Sequence, residues 1–300
     1  MTVAMTPVQV PKDAVSLGKG PIPETDAELK QRIIEAIEKD LAENGATLPV
    51  PIAERVAAAF GEQPNISSVT VDFSNVTLAV QDEASEQQPD LGPAVKKKVE
   101  AELSHVAVRA NPARLESMPV SASFELENLA VDWLTDANGD VWLAVSERKL
   151  EGFSGQGELQ ADIDDARALA RELAERAAKD DSVRIKEVDF DIEVERPRGG
   201  EQRIRATGVL DGGYKFIGAQ VKAEVDAVLE NSTGKARVED FKLRSSNPLV
   251  KLMLLVFRKQ IRARLSEPID LNSGLPKGYR IDHLELRTRG RALIATLRLG

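Results

Sequence analysis

Strict alternation of apolar and polar residues is the feature that most limits how this chain can fold. From Ile217 to Leu229 the odd-numbered positions are all apolar, and the residues between them include Gln220, Lys222 and Glu224. Such a period of two is typical of a β-strand with one face in a core and the other in water. The segment is also much longer than an ordinary strand of about five or six residues. The sequence therefore predicts a long sheet with one polar face.

In six other segments the alternation slips by one residue part of the way along. In one of them the apolar positions move from Val183 and Ile185 to Val188 and Phe190. An extra residue of this kind makes a β-bulge, which bends the strand and increases its twist. Repeated bulges would coil a sheet, and a coiled sheet can wrap around a helix. The six segments are residues 67–80, 103–108, 121–131, 183–194, 236–243 and 281–286.

Apolar residues recur at helical spacing in three segments. Residues 26–42 carry an apolar stripe, residues 52–60 carry a shorter one, and residues 162–181 begin with aspartates suited to a helix amino terminus. Together with the bulged strands, these segments predict an α+β fold. We expect a long, highly curved antiparallel β-sheet with bulged strands, wrapped around long amphipathic helices and arranged as two repeated helix-plus-strands halves.

The two halves, residues 25–160 and 161–300, are expected to form one compact unit, because neither loop-like segment between the elements resembles a flexible linker. Residues 1–24 contain four prolines and no continuous apolar run. This composition disfavours a helix and a signal peptide. We therefore predict that residues 1–24 form a mobile tail.

Composition limits the class of protein and its partners. With 42% hydrophobic and 30% charged residues the chain is expected to fold. The absence of cysteine suits a reducing compartment, and no apolar run approaches the roughly 20 residues that span a bilayer. We expect a cytoplasmic protein, either soluble or peripheral to the inner face of the membrane. A net charge of −9 and an aromatic content of 4% argue against nucleic acid as a partner.

No group of side chains in the sequence points to catalysis, a cofactor or a metal. The two histidines, His105 and His283, both fall at a slip in the alternation, and neither is surrounded by other candidate ligands. Asp136, Asn138 and Asp140 have the spacing of a calcium loop, but the flanking strands fit a tight hairpin turn better. We predict a non-enzymatic protein without cofactors or metal ions.

Residues 247–266, NPLVKLMLLVFRKQIRARLS, combine an apolar run with basic residues. On a helix, the first two turns would be apolar on nearly every side. A core helix needs only one apolar stripe, so the additional residues indicate a second partner: a lipid chain, a membrane interface or another subunit. Complete burial of the helix in the sheet is the alternative. The candidate lipid-binding residues are Leu252, Leu255, Val256 and Phe257, and the candidate headgroup-binding or membrane-binding residues are Lys251, Arg258, Lys259 and Arg262.

Charge is unevenly placed along the chain. Residues 251–300 contain eleven Lys or Arg and four Asp or Glu, whereas the whole chain has a net charge of −9. A basic end on an acidic body can orient an encounter with an anionic surface. It can equally pack against the acidic part of the same chain, and the sequence leaves both alternatives open.

The order of a helix, long bulged strands, then SSNPLVKLMLLVFRKQIRARL and SGLPKGYRIDHLELRT resembles the LmeA-like phospholipid-binding family of bacteria, within the tubular lipid-binding superfamily. The resemblance covers about residues 160–300 and includes no catalytic motif. It implies a highly curved antiparallel sheet around a long helix, enclosing an apolar groove for lipid acyl chains. The first residues do not have the pattern of a signal peptide, so we expect this chain to differ from the exported members of the family.

The sequence therefore predicts non-enzymatic binding of a lipid or another hydrophobic small molecule in an apolar groove. The basic C-terminal region is expected to dock on an anionic membrane surface. The alternative is a structural or interaction protein, in which the apolar helix and the sheet edges form a subunit interface in a homo-oligomer.

Overall fold

The computed structural model describes residues 8–43, 46, 50–78, 92–177, 183–214, 217–245, 247 and 268–300. Of these residues, 59% lie in strands and 16% in helices. The helices are α1 (Asp26–Glu43) and α2 (Ile163–Ala177), with 3-10 helices at Ile52–Glu54 and Leu271–Gly274. The strands are β1 (Val15–Lys19), β2 (Val56–Phe60), β3 (Ile66–Asp72), β4 (Thr77–Leu78), β5 (Val95–Leu115), β6 (Met118–Asp136), β7 (Asp140–Val145), β8 (Ser154–Asp162), β9 (Val183–Val194), β10 (Glu201–Tyr214), β11 (Ile217–Glu230), β12 (Lys235–Ser245), β13 (Ile269–Asp270), β14 (Ile281–Arg289) and β15 (Ala292–Leu299).

The predicted fold class, an α+β fold with a sheet around long amphipathic helices, is wrong for the part of the chain that the structure describes. That part is mostly β, and although a curved sheet is present, α1 has only 18 residues and α2 only 15. The physical reason is that most apolar residues recur with a period of two. Such residues are buried by sheet formation rather than by packing along a helix.

The first sheet has ten strands and is built on one long hairpin. β5 and β6, of 21 and 19 residues, pair antiparallel along most of their length. On the far side of β5 lie the parallel strands β3 and β4, and β2 pairs with β3. On the far side of β6 lie β7 and β8; β1 extends β7, and β15 and β14 extend β8. The last two strands of the chain therefore complete the sheet that its first strands begin.

β6 changes its hydrogen-bonding partner at Asn128. Residues 120–127 pair with β8, whereas residues 131–135 pair with β7. Asn128 has a φ of 54°, a left-handed conformation that asparagine tolerates better than most residues. Its Nδ2 atom donates to the carbonyl oxygen of Gly152 at 3.0 Å. The change of partner at Asn128 lets one long strand pair with two separate neighbours.

The main core lies between α1 and the inner face of the first sheet. Leu29 of α1 and Trp133 of β6 are both 0% exposed. The indole Nε1 of Trp133 donates to the carbonyl oxygen of Pro64 at 3.0 Å, and its ring stacks on Phe60 with 6.4 Å between centroids. Burying a large apolar side chain contributes about 1.5–3 kcal/mol. The same cluster includes Ile33, Ile34, Ile52, Val56, Ile66, Val71, Leu103, Leu129, Val131 and Val141.

The second sheet has five antiparallel strands in the order β13, β12, β11, β10, β9. β10 and β11 pair over fourteen consecutive positions without a register shift. The short β13 pairs only with the first two residues of β12. α2 lies beside β9, where Arg167 Nε donates to the carbonyl oxygen of Phe190 and lies 2.8 Å from the Asp189 carboxylate.

Two buried amide side chains join the second sheet to the first. Gln202 Nε2 donates to the carbonyl oxygen of Leu286 on β14 at 2.6 Å, and the Leu286 N–H donates to Gln202 Oε1 at 2.9 Å. Asn231 Nδ2 donates to the carbonyl oxygen of Leu284 at 2.6 Å, and the Leu284 N–H donates to the Asn231 carbonyl at 2.7 Å. These bonds satisfy the edge of β14 as a further strand would.

Three of the six predicted slips are β-bulges in the structure. The register shifts leave Lys186 in β9, Glu239 in β12 and Asp282 in β14 without a partner across the ladder. The slip in residues 67–80 is instead a break between β3 and β4, with Asn75 at a φ of 62°. The remaining two slips lie opposite each other in the β5–β6 hairpin, so they cancel in the register.

Other local predictions have mixed outcomes. The helices predicted in residues 26–42 and 162–181 are confirmed as α1 and α2. The helix predicted in residues 52–60 is wrong, because Val56–Phe60 forms β2 and pairs with β3. A short apolar run cannot be assigned by periodicity alone. Residues 8–24, expected in a mobile tail, include β1, which pairs with β7 and buries Leu17.

Candidate functional site

One face of the second sheet carries aligned apolar residues on four neighbouring strands. Alternation puts every second residue of a strand on the same face, and the register aligns these residues in rows across the sheet. We call this surface the second-sheet apolar face. It consists of Ile185, Val188, Phe190, Ile192 and Val194 of β9, Ile204, Ala206, Gly208 and Leu210 of β10, Val221, Ala223, Val225, Ala227 and Leu229 of β11, and Ala236, Val238, Phe241 and Leu243 of β12.

Around Gly208, small residues lie in the middle of the second-sheet apolar face, and larger residues of β9 and β12 flank them. In one row the two central residues are Gly208 and Ala223. Phe190 of β9 flanks them on one side and Leu243 of β12 on the other. Neighbouring strands lie about 4.8 Å apart, so β9 and β12 are separated by about 14 Å. The size pattern makes a shallow trough around Gly208 and Ala223, which Ile204 and Leu210 bound along β10.

Gly208 shows that this trough has space above the backbone. A Cβ atom built on Gly208 would have, among the described residues, only the carbonyl oxygen of Asp189 within 4 Å, at 3.8 Å. That distance is an ordinary van der Waals contact with the neighbouring strand. The flanking side chains therefore do not fold over Gly208, and the described residues leave room there for further apolar atoms.

The second-sheet apolar face is only partly buried. Leu229 and Phe241 are 2% and 9% exposed, whereas Leu210 is 40% exposed. The other side chains of this face are half-buried. Within the described ranges, the two clusters of buried apolar residues are built from other elements than β9–β13. Extended apolar surface outside a packed core is typical of a binding surface.

Burial of this face increases toward the junction with β14. Gln202 continues the alternation of Ile204 along β10 and is 1% exposed. Its amide group bonds to the edge of β14, so the first sheet covers this end of the face. Leu210, farther along β10, is the exposed residue among the members of this face. The face is therefore covered at the junction with β14 and exposed at Leu210.

The opposite face of the second sheet is charged. Arg205 Nε lies 2.8 Å from Asp226 Oδ1, and Lys242 Nζ lies 2.8 Å from Asp240 Oδ2. The hydrogen bond to Asp226 is the main reason that the pKa of the Arg205 guanidinium is raised. Exposed pairs of this kind add little stability. They lie on the side of the sheet opposite the second-sheet apolar face, so the two sides differ in polarity.

The eight site residues predicted from the sequence lie outside the described residues. They are Lys251, Leu252, Leu255, Val256, Phe257, Arg258, Lys259 and Arg262. β12 ends at Ser245, and the chain is described again from Pro268, directly before β13. Because β13 pairs with the first residues of β12, residues 248–267 join the two ends of the strand that borders the second-sheet apolar face.

A polar groove of about 490 Å³ on the outer face of the first sheet is an alternative site. Glu125, Gln156 and Arg298 are among the residues that line it. Hydrogen bonds from Gln156, and then from Arg109, lower the pKa of the Glu125 carboxyl group. A carboxylate that stays ionised in this way is a poor general acid near neutral pH. Glu125 is therefore not suited to act as a general acid in this groove.

Both histidines lie in the first sheet, and each is next to a glutamate. His105 Nδ1 is 2.7 Å from Glu127 Oε1, and His283 Nε2 is 3.4 Å from Glu285 Oε2. Over the described ranges, no three His, Asp or Glu side chains are grouped as metal ligands. The contacts of the two histidines are those of residues that stabilise a sheet surface.

The third polar motif, around Asp136, forms a turn. The Asp136 carboxylate accepts hydrogen bonds from the N–H groups of Asn138 at 2.8 Å and Asp140 at 3.0 Å. Gly139 has a φ of 82°, which glycine adopts without strain. The predicted hairpin between β6 and β7 is confirmed.

Sequence reasoning did not identify the second-sheet apolar face as a site. It identified the alternation in β11 and the bulges in β9 and β12, but not the distribution of side-chain sizes. The signal in the sequence that could have indicated the site is a set of small residues at alternate positions. They include Ala206 and Gly208 in β10 and Ala223 in β11. Only the register shows that Gly208 and Ala223 are neighbours in one row.

No helix in the described part of the chain is long and apolar enough to cross a membrane. Comparisons with models of protein families, with curated proteins and with solved structures found no match for this chain. The resemblance to the LmeA-like family therefore stays a prediction, and the geometry of the second-sheet apolar face is the basis for a function.

Proposed function

We propose that the protein binds a lipid, or another molecule with a long hydrocarbon chain, on the second-sheet apolar face. The observation that carries this proposal is the trough of small residues around Gly208 and Ala223, with Phe190 and Leu243 at its sides. A hydrocarbon chain in the trough would be stabilised by about 25 cal/mol for each Å² of apolar surface removed from water. Binding needs no catalytic group, so we propose a carrier or sensor rather than an enzyme.

The length of the second-sheet apolar face, with the trough in its middle, suits an extended hydrocarbon chain. Ile204, Ala206, Gly208 and Leu210 follow one another along β10 on the same face. Strand geometry gives this run a length of about 20 Å. The headgroup of the lipid is assigned to the basic residues predicted from the sequence, which are Lys251, Arg258, Lys259 and Arg262.

The experiment has to distinguish a lipid from two other possible occupants of the same face. One is a second copy of the chain, which corresponds to the predicted subunit interface. The other is the chain itself, because residues 248–267 join the two ends of β12. A lipid adds a small mass to the protein and can be extracted. A second copy doubles the mass and yields no lipid, and residues 248–267 add no mass at all.

The test uses one substitution in the trough and one on the opposite face of the same strand. Gly208→Ile places a large side chain where a hydrocarbon chain would lie, and the open position of Gly208 accommodates it. Thr207→Ile adds the same residue to the exposed polar face, so it controls for the change in strand propensity. Native mass spectrometry and lipid extraction are applied to the full-length wild type and to both variants.

We expect the wild type and Thr207→Ile to retain a stoichiometric lipid, and Gly208→Ile to retain at least about tenfold less, a loss of roughly 1.4 kcal/mol or more. Equal retention by both variants would place the lipid elsewhere. A lipid-free oligomer would favour the subunit interface, and a lipid-free monomer that takes up no added lipid would contradict the proposed function.

A further inference from the structure

The trough in the second-sheet apolar face is a local depression rather than a continuous channel. Its central residues, Gly208 and Ala223, lie opposite each other and have a single side-chain carbon atom between them. A Cβ atom on Gly208 would have only one described neighbour within 4 Å, at 3.8 Å. The trough therefore reaches down to the backbone of β10. The neighbouring pairs along the two strands are larger, and they are Ala206 with Val225 and Leu210 with Val221.

Larger side chains bound the trough on all four sides. Ile204 and Leu210 bound it along β10, and Phe190 and Leu243 flank it across the sheet. β10 and β11 pair through the trough without a register shift, so the two strands beneath it are regular. The trough is therefore a consequence of side-chain size at one row and not of a distorted backbone.

The two ends of the face suit different parts of a lipid. At the junction with β14, Gln202 is 1% exposed. Its Nε2 atom donates to the carbonyl oxygens of Glu195 at 2.9 Å and Leu286 at 2.6 Å, so both amide hydrogen atoms are used. A polar headgroup would lose its hydrogen bonds to water here without a replacement from Gln202. This end therefore suits the apolar end of a lipid, whose polar end would lie toward the exposed Leu210.

The trough lies part-way along the path of such a hydrocarbon chain. Strand geometry places Gly208 about 13 Å from Ile204, the first apolar residue after Gln202. A straight chain that rests on Ile204 and Leu210 would pass over Gly208 and leave a gap beneath it. Where such a gap is too small for water, the atoms around it lose dispersion contacts. A chain that bends, or carries extra carbon atoms, at this point would fill the gap.

We infer that the trough selects a lipid whose hydrocarbon chain has a bulge part-way along, such as the bend at a cis double bond. The inference rests on the proposed function, because it names the class of hydrocarbon chain that this site prefers. Gly208 determines the preference, since the absence of a Cβ atom at this position leaves the space for the bulge.

The test compares the binding of two isomers of one fatty acid to the delipidated full-length protein. Oleic acid has a cis double bond in the middle of its chain and is bent, whereas elaidic acid has a trans double bond and is nearly straight. The two acids have the same atoms and the same charge, so a difference in affinity reports the shape of the chain. Titration calorimetry, at concentrations below those at which the acids form micelles, gives the two dissociation constants.

Gly208→Ala places a methyl group in the trough, where the described residues leave room for it. Thr207→Ala introduces the same residue on the exposed opposite face of β10 and is the matched control. Thermal unfolding establishes that each variant is folded. We expect the wild type and Thr207→Ala to bind oleic acid about fourfold more tightly than elaidic acid, which is the effect of burying one further CH₂ group. For Gly208→Ala we expect the two dissociation constants to be equal.

The outcomes separate this inference from the proposed function. Equal binding of the two acids by the wild type, or tighter binding of elaidic acid, would overturn the inference and leave the proposed function in place. A preference for oleic acid that persists in Gly208→Ala would also overturn the inference, because the bend would then lie elsewhere. Binding of neither acid by the wild type would contradict the proposed function together with the inference.

Discussion

The apolar faces of the two sheets differ in how they are covered. The inner face of the first sheet packs against α1, and Leu29 and Trp133 are completely buried there. The apolar face of the second sheet is half-buried, and Leu210 at its end is 40% exposed. Both sheets are built from the same alternating pattern. Alternation therefore determines which face of a sheet is apolar, but it does not determine what covers that face.

Glycine positions show the same difference at atomic detail. A Cβ atom on Gly155 of β8 would lie 2.7 Å from Leu126 Cδ2, and one on Gly157 would lie 2.8 Å from Phe124 Cδ2. These distances are shorter than any normal contact, so the first sheet uses glycine to admit a neighbouring side chain. Gly208 in the second sheet has no such neighbour among the described residues. Glycine thus completes a core in one sheet and leaves a trough in the other.

The largest expected effect comes from matched aromatic truncations in the two sheets. Trp133→Ala removes a fully buried ring and should lower the free energy of unfolding by about 3–5 kcal/mol. Phe190→Ala removes a half-buried ring and should lower it by about 1–2 kcal/mol. Denaturant unfolding of delipidated protein measures both. Equal losses of unfolding free energy would mean that the second-sheet apolar face is packed as tightly as the core. The two sheets would then not differ in how their apolar faces are covered.

A smaller effect is expected at the junction of the two sheets. Gln202→Leu leaves the N–H and the carbonyl of Leu286 without their partner, and each unpaired buried group costs about 1–3 kcal/mol. We expect a loss of about 2–4 kcal/mol in the free energy of unfolding. Gln160→Leu, at an exposed position of β8, is the control and should change stability little. Similar values for the two variants would show that the amide junction does not hold the sheets together.

The smallest effect is expected on the charged face of the second sheet. Arg205→Ala removes the ion pair with Asp226, but the Arg205 side chain is 59% exposed. The loss of stability should be smaller than that of Gln202→Leu and should disappear at high salt, because exposed ion pairs are screened. Unfolding at low and high ionic strength measures it. A large, salt-independent loss would mean that this face also contributes a packed core.

Local patterns in the sequence were sufficient for several elements. The alternation in residues 217–229 corresponds to β11, and the slips in β9, β12 and β14 are bulges, because the period of two is a property of each strand by itself. The run of residues 52–60 was mistaken for a helix because a short apolar run fits either period, and only its pairing with β3 makes Val56–Phe60 a strand. The candidate site was missed for the same reason, since the trough requires Gly208 and Ala223 to be neighbours.

The sequence by itself determined which residues of each strand share a face, where three strands bulge, and where α1 and α2 lie. Tertiary structure decided that β14 and β15 return to the first sheet, that Gln202 and Asn231 join the two sheets, and that small residues of β10 and β11 meet in one trough. The physical reason is that side-chain direction follows from backbone geometry within a strand. Pairing between distant strands depends instead on the packing free energy of the whole chain.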